Sequence, residues 1–344
     1  MTKNIEKDFK NTMTKDKTFS GSVIVKEYNK SHQYSKGYAH RSDKRENQTN
    51  TRFGIASGCK LFTAIAICQL VQNKKLSFTT KLSDCLHFNF PHYDNEITIH
   101  HLLTHTSGIA DYFDEEEMDD FEQLWVDTPM YHLRKLTDFL PLFQNKKMKG
   151  RVGERFHYNN AGFILLGLVV EQVTQISFTE YVTEHIFKKL NMKDSGYFEL
   201  DALPENTALG YIVNPDGTWR TNIYSLPVKG GADGGAFVTT EDMVTIWEGL
   251  IQHKLLNEKL TQRLLTCHAK DKDGEEDYYG YGVWIKKHRG DIIKYHVMGY
   301  DPGVSFHSAF YPNYSVITVV CSNQSEGAYD IAKKLEDLIL IENE

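Results

Sequence analysis

No stretch of this 344-residue chain stays apolar for the roughly 20 residues that a membrane span requires. The longest apolar runs, near residues 64–71 and 163–170, read as core helices. Basic charge is also scarce: 39 Lys and Arg face 46 Asp and Glu, a net charge of -7, and no Lys/Arg stripe gathers locally. Nucleic-acid binding is excluded on that footing. Cysteine is sparse and scattered at Cys59, Cys68, Cys85, Cys267 and Cys321. An odd number without close spacing supports neither a zinc site nor a disulfide framework, so reduced, mostly buried thiols are expected. The opening "MTKNIEKDFKNTMTKDK" has no apolar core of the kind a secretory signal needs. As written the chain reads as cytoplasmic; extracellular is the alternative for a chain trimmed of its leader. Repeats and low-complexity tracts are missing too, and nothing sets the oligomeric state.

What remains is an ordinary globular composition, 40% hydrophobic and 25% charged, at a length that fits two domains or one large one. "SGSVIVKEYNKSHQYSKGYAH" alternates, breaks at a polar turn and resumes, which predicts an N-terminal β-hairpin. An apolar helix follows Ser57. Between residues 76 and 192 the pattern turns largely helical and loop-rich, through "ITIHHLLTHTSGIA", "MYHLRKLTDFLPLF" and "NNAGFILLGLVVEQVTQISFTEYVTEHIF". Strand-like runs return in "YGYGVWIKKH", "DIIKYHVM", "GVSFHSAFYP" and "YSVITVVCSN", and "AYDIAKKLEDLILIENE" closes as an amphipathic helix. The expectation is an α+β chain. Residues 1–75 and 193–344 form a discontinuous domain, an antiparallel sheet flanked by N-terminal, Ser57 and C-terminal helices, with 76–192 as an inserted, mainly helical domain.

The chemistry begins at "SGCKLFTAIAICQLV", the only place where a serine precedes a lysine by three residues. One helical turn puts Ser57 and Lys60 on the same face. Burial disfavours the ammonium form, which makes a lysine amine a usable base for a serine nucleophile. If Ser57 starts the helix, the positive end of the helix dipole faces any oxyanion formed there.

Together with "HLLTHTSGI", "YNNAGFILLG", "GGADGGAFVTTEDM" and "YGYGVWI", this stretch resembles the class C β-lactamase and penicillin-binding serine hydrolase family, in order and across residues 53–303. The resemblance implies the fold of that family, an acyl-enzyme mechanism and no metal or other cofactor. It assigns Ser57 as nucleophile, Lys60 as base, and Tyr158 and Asn160 as the Y-x-N pair that shuttles the serine proton and binds the substrate amide. Two other Y-x-N triplets start at Tyr93 and Tyr311, but only the one at Tyr158 leads into "AGFILLG". A phenol beside Lys60 is expected to be drawn toward its ionised form. The backbone N–H groups of Ser57 and Tyr300 would form the oxyanion hole.

The family's third motif, K-T-G or H-x-G on a strand edging the cleft, departs here. Aligning Gly299 with the motif glycine puts Val297 first, while His296 stands one residue earlier and, by strand alternation, on the opposite face. His296, Gly299 and Tyr300 are therefore carried as substrate-binding candidates whose register is open. His101 and His105 are spaced i, i+4 without the glutamate of a metalloprotease helix, so no metal site is assigned. "GGADGGA" reads as a tight turn, and the acidic run from Asp111 to Glu122 as a solvated loop or a cleft lid. The expected function is a serine hydrolase acting on a small-molecule or peptide substrate. Small neutral esters are favoured, because a free carboxylate would be brought beside Val297. The alternatives are a D-alanyl peptidase, a β-lactamase, or a non-hydrolytic penicillin-recognising or scaffold protein.

Overall fold

Alternating apolar residues in the predicted strands give each strand two different faces, and the architecture follows from burying both. The computed structural model describes residue 9, residues 13 and 14, and residues 18–28, 30–271 and 276–341. The hairpin at the start consists of β1 (Gly21–Glu27) and β2 (Lys30–Lys36). It joins β3 (Ala269–Lys270), β4 (Asp277–Tyr279), β5 (Trp284–His288), β6 (Asp291–Asp301), β7 (Val304–Tyr311) and β8 (Val316–Ser322). The eight form one antiparallel sheet in the order β2-β1-β8-β7-β6-β5-β4-β3. Chain ends thus meet at β1 and β8, which pair Val23 with Val320 and Ile24 with Val319.

Period-two alternation sends these neighbours to opposite cores. Val23, Val25, Val320, Ala309 and Tyr311 pack under α4 (Ala328–Ile341) together with Phe9 and Met13. The N-terminal helix expected ahead of the hairpin lies largely outside the described residues. Ile24, Val319, Cys321, Phe306 and Val297 face the other way, into the main core. That core is filled by α1 (Lys60–Gln72), α2 (Asn160–Thr174) and α3 (Thr240–Ile251). From Lys60 to Leu70 every residue of α1 is buried, the state of a helix apolar on all sides. One continuous core therefore runs through the sheet, α1 and the middle of the chain.

The block between residues 76 and 192 is less regular than its apolar spacing predicts. Among the described residues α2 is its longest helix and a mixed helical run follows over Phe178–Leu190; the rest are short segments such as Met130–His132 and Leu136–Leu142, the latter holding Pro141. Proline removes a backbone donor and clashes with the preceding turn, so the apolar residues there pack as 3-10 segments instead of a continuous helix. No single helix among the described residues is long and apolar enough to cross a membrane.

Candidate active site

Ser57 sits in a 3-10 turn, Ala56–Cys59, that runs directly into α1. Ala56 adopts φ +44, a left-handed conformation strained for a residue with a side chain. Bonds from Ile55 N to Ala236 O (3.0 Å) and from Gly235 N to Ala56 O (3.3 Å) hold this bend in place. The backbone of β6 presses on it from the sheet side. A Cβ on Gly299 would lie 2.2 Å from Ile55 O and 2.7 Å from Ser57 N, so only glycine allows the strand this close to the Ser57 amide. The oxyanion-hole pair expected at Ser57 and Tyr300 is thus brought into one corner.

Lys60 is 1% exposed. Its Nζ lies 2.9 Å from Ser57 Oγ, 2.7 Å from Asn160 Oδ1 and 2.7 Å from the backbone oxygen of Asp233. Asn160 opens α2, whose cap is the side chain of Asn159 accepting from Gly162 N at 2.7 Å. Asp111 orients Asn160: its carboxylate accepts from Asn160 N (2.6 Å), Asn160 Nδ2 (3.1 Å) and Ala161 N (2.9 Å). With its amide nitrogen committed to a carboxylate, Asn160 must turn its oxygen to Lys60. Burial pushes the Asp111 carboxyl up to about 7, against the pull of the backbone N–H groups of Asn160, Ala161 and Tyr112.

Tyr158 completes the group. Its hydroxyl is hydrogen-bonded to Ser57, and its ring centroid is 4.9 Å from Lys60 Nζ. The ring packs against His105 at 4.5 Å and stacks on Trp284 at 6.1 Å. His105 also accepts from Asn159 N at 3.0 Å, so "HLLTHTSG" fixes the loop that carries Tyr158. Burial holds His105 neutral, and His101 is spent capping its own short helix with Thr98. Contrary to the sequence expectation, the phenol of Tyr158 is not drawn toward ionisation. Burial, reinforced by the negative charge of Glu115, pushes it well above its ordinary range and outweighs the nearby lysine. Tyr158 rests as a neutral donor.

Four of the predicted residues, Ser57, Lys60, Tyr158 and Asn160, therefore meet at one point although a hundred positions separate them. The third-motif candidates divide. Pairing of Gly299 with Phe306 and Met298 with His307 fixes the register of β6. Val297 points into the main core at 3% exposure, on the same face as Gly299. His296 is not brought to Ser57: its ring stacks on Trp284 and on His307 (5.1 Å), and burial lowers its pKa well below the usual range.

Several contributors carried no readable sequence signal. "GGADGGA" is the expected tight turn, closed by Gly231 N to Gly234 O at 2.8 Å. It also supplies the Asp233 carbonyl to Lys60, and the Ala232 carbonyl accepts from Thr63 Oγ1 at 2.5 Å. The Asp233 carboxylate accepts from the buried hydroxyl of Tyr112. The acidic run borders the site. Phe113, Glu115 and Phe121 line a cleft of about 940 Å3 whose floor holds Ser57 and Tyr158. This rim is tied down by Arg155 to Glu116 (2.8 Å), Lys149 to Asp114 (3.1 Å), His157 to Asp114 (3.0 Å) and Arg220 to Glu122 (2.7 Å). Asp114, Glu116 and His157 lie close enough together to hold a cation, but Lys149 and Arg155 already neutralise their carboxylates.

A serine and a lysine at the head of a buried helix, beside an antiparallel sheet with helices on both faces, define the β-lactamase and penicillin-binding protein fold. The chain belongs to the Beta-lactamase family, whose model matches residues 5–340. It is similar to a penicillin binding protein from Bacillus halodurans of known crystal structure, at 58% identity and a TM-score of 0.91, over 96% of this chain and 99% of that one. Penicillin-binding protein 4* of Bacillus subtilis (strain 168) is 27% identical over 95% of this chain and 70% of its own length. D-amino acid amidase from Ochrobactrum anthropi SV3 shares the fold, with a TM-score of 0.80 at 18% identity over 99% of each chain.

Proposed function

We propose that the protein is a serine hydrolase that works through an acyl-enzyme. The observation that carries this reading is the environment of Lys60 Nζ. An ammonium has three N–H donors; a neutral amine has two and a lone pair. Asn160 Oδ1, the Asp233 carbonyl and Ser57 Oγ surround Nζ as three acceptors, so when the amine gives up one proton its two remaining N–H groups stay on Asn160 and Asp233 and its lone pair is aimed at the Ser57 hydroxyl 2.9 Å away. Lys60 takes the hydroxyl proton as Ser57 Oγ bonds to the substrate carbonyl carbon. The proton passes through Tyr158 to the departing alkoxide or amine, and the acyl group stays on Ser57. Water then attacks the ester with the same base, releasing the acid and restoring the serine. Charge developing on the carbonyl oxygen is met by the N–H groups of Ser57 and Tyr300.

Small neutral esters fit this site better than substrates with a free carboxylate. Val297 offers no cation or donor in the third-motif position, and the acidic rim opposes an anion. Hydrolysis of p-nitrophenyl acetate or butyrate that vanishes in Ser57→Ala, with a fluorophosphonate probe mapped to Ser57, supports the assignment. Equal rates for both proteins would overturn it. A second reading, acylation of Ser57 by penicillins with slow or no turnover, is favoured by the likeness to the Bacillus halodurans penicillin binding protein. Comparing kcat/KM for a neutral ester with that for benzylpenicillin on one preparation separates the two.

A further inference from the structure

The charge balance of the cleft is one-sided. Among the described residues, eight aspartates and glutamates line it against a single arginine, Arg220. That arginine is already engaged by both oxygens of Glu122 at 2.7 and 2.8 Å. Lys60 is enclosed by Ser57, Asn160 and Asp233 and has no donor left for a substrate anion. Most of the carboxylates nearest Ser57 have protein partners. Asp111 accepts four N–H groups, Asp233 accepts from Tyr112, and Glu115 has Asn160 as its hydrogen-bond partner.

Asp301 differs. It lines the cleft, partly buried, and while its backbone pairs with Val304, its carboxylate makes no hydrogen bond or ion pair with any described residue. It ends β6 two residues beyond Gly299, the glycine packed against Ser57 N, and alternation puts both on the same face of the strand. Two residues of strand span roughly 7 Å. That is within reach of an amine on the first or second carbon of an acyl group attached to Ser57. An unpaired carboxylate held partly out of water is costly, and a cation supplied by the substrate removes the cost. Burial and the neighbouring charge of Asp233 push the Asp301 carboxyl up to about 7, and the opposing charge of Lys60 does not offset them.

We propose that Asp301 is a specificity-determining residue, and that the preferred substrates are esters or amides whose acyl part carries a primary ammonium close to the carbonyl. This rests on the serine hydrolase reading and narrows it: the leaving group stays neutral, as Val297 requires, while the acyl side carries positive charge. Bonds formed and broken are those of the acyl transfer already described. The ammonium takes no part in the chemistry and only anchors the acyl group to Asp301.

The test compares the methyl esters of D- and L-alanine with methyl propionate, which differ by the amine alone. The wild type is expected to prefer at least one alanine ester by tenfold or more in kcat/KM at low ionic strength. That preference should shrink as salt screens the pair. In Asp301→Asn the ratio between amino and deaminated esters should fall toward one, and Asp301→Glu should restore part of it. The ratio is internal to each variant, so a general loss of activity leaves it readable. Turnover of methyl propionate with no gain from the amine overturns this inference and leaves the hydrolase reading standing. A preference that survives Asp301→Asn assigns the selection elsewhere and also overturns it. Turnover of no ester, with Ser57 unlabelled by fluorophosphonate, overturns both.

Discussion

The two walls of the cleft are built on different principles. On one side, Ser57, Lys60, Asn160 and Asp111 are buried or nearly so, fixed by hydrogen bonds between 2.6 and 3.1 Å and seated at the heads of α1 and α2. On the other, the acidic rim from Phe113 to Glu122 is pinned by ion pairs that, apart from those of the buried Asp114, have half-exposed partners, such as Arg155 with Glu116 and Arg220 with Glu122. Water and salt weaken the second kind of contact and scarcely reach the first. On the proposed reading the buried wall carries the reaction and tolerates little change, while the rim tolerates much.

The sharpest way to break that contrast is at Lys60. Arginine keeps its proton at any accessible pH, so Lys60→Arg should cost about 100-fold or more in kcat/KM for p-nitrophenyl butyrate with the fold intact by circular dichroism. Near-normal turnover would make the lysine structural. At Gly299 the effect is geometric. A side chain there meets Ile55 O at 2.2 Å and displaces the Ser57 amide, so Gly299→Val should lose roughly 100-fold in kcat, the scale of one missing oxyanion donor. Removing Asp111 acts on stability as well. Asp111→Ala leaves the buried N–H groups of Asn160 and Ala161 without acceptors and should lower unfolding free energy by about 3 kcal/mol, read from urea melts.

Acid sharpens the comparison further. His307 is buried beside His296, and burial holds its folded pKa at about 3, below the ordinary 6.5. Below 6.5 the unfolded chain takes up a proton that the folded one refuses. The stability His307 contributes is thus complete above that pH and is lost on acidification toward 3, by about 1.4 kcal/mol per pH unit at most. Asp111 and Asp301, raised to about 7, work in the opposite direction, destabilising as pH climbs from 4 to 7. Comparing wild type with His307→Leu at pH 4.5 and 6.5 cancels the carboxylates, and the wild type should lose more stability on acidification. The smallest effect belongs to the rim: Arg155→Ala should change stability by less than about 1 kcal/mol.

The same contrast explains what the sequence disclosed. The buried wall is built from residue types whose chemistry depends on spacing, so Ser57 with Lys60 and Tyr158 with Asn160 stood out as short motifs. The sheet strands were legible because their alternation matched the two cores they separate. Contacts made by the backbone left no trace: the Asp233 carbonyl that steadies Lys60 reads only as part of a glycine-rich turn. The place of His296 could not be read either, since pairing with β7 decides which face of β6 each residue takes. The stretch over residues 130–142, read as part of a largely helical, loop-rich block, forms two separate 3-10 turns, Met130–His132 and Leu136–Leu142. The protonation of Tyr158 was misjudged because proximity to a cation is visible in a motif, whereas the desolvation that outweighs it arises only when the chain folds.

The stacked rings that back the site give it an optical reporter. Trp284 lies against Tyr158 and lines the cleft, and its other side meets His296. The remaining three tryptophans lie outside that wall: Trp125 bonds to Ser225 O, Trp247 to Ser308, and Trp219 packs on Tyr211. Of the four, Trp284 is the one that lines the cleft, so on the proposed mechanism an acyl group on Ser57 is expected to change the polarity and quenching chiefly around it. Stopped-flow emission from the unlabelled protein should therefore follow the proposed acylation and deacylation in real time, with Trp284→Phe as the silent control.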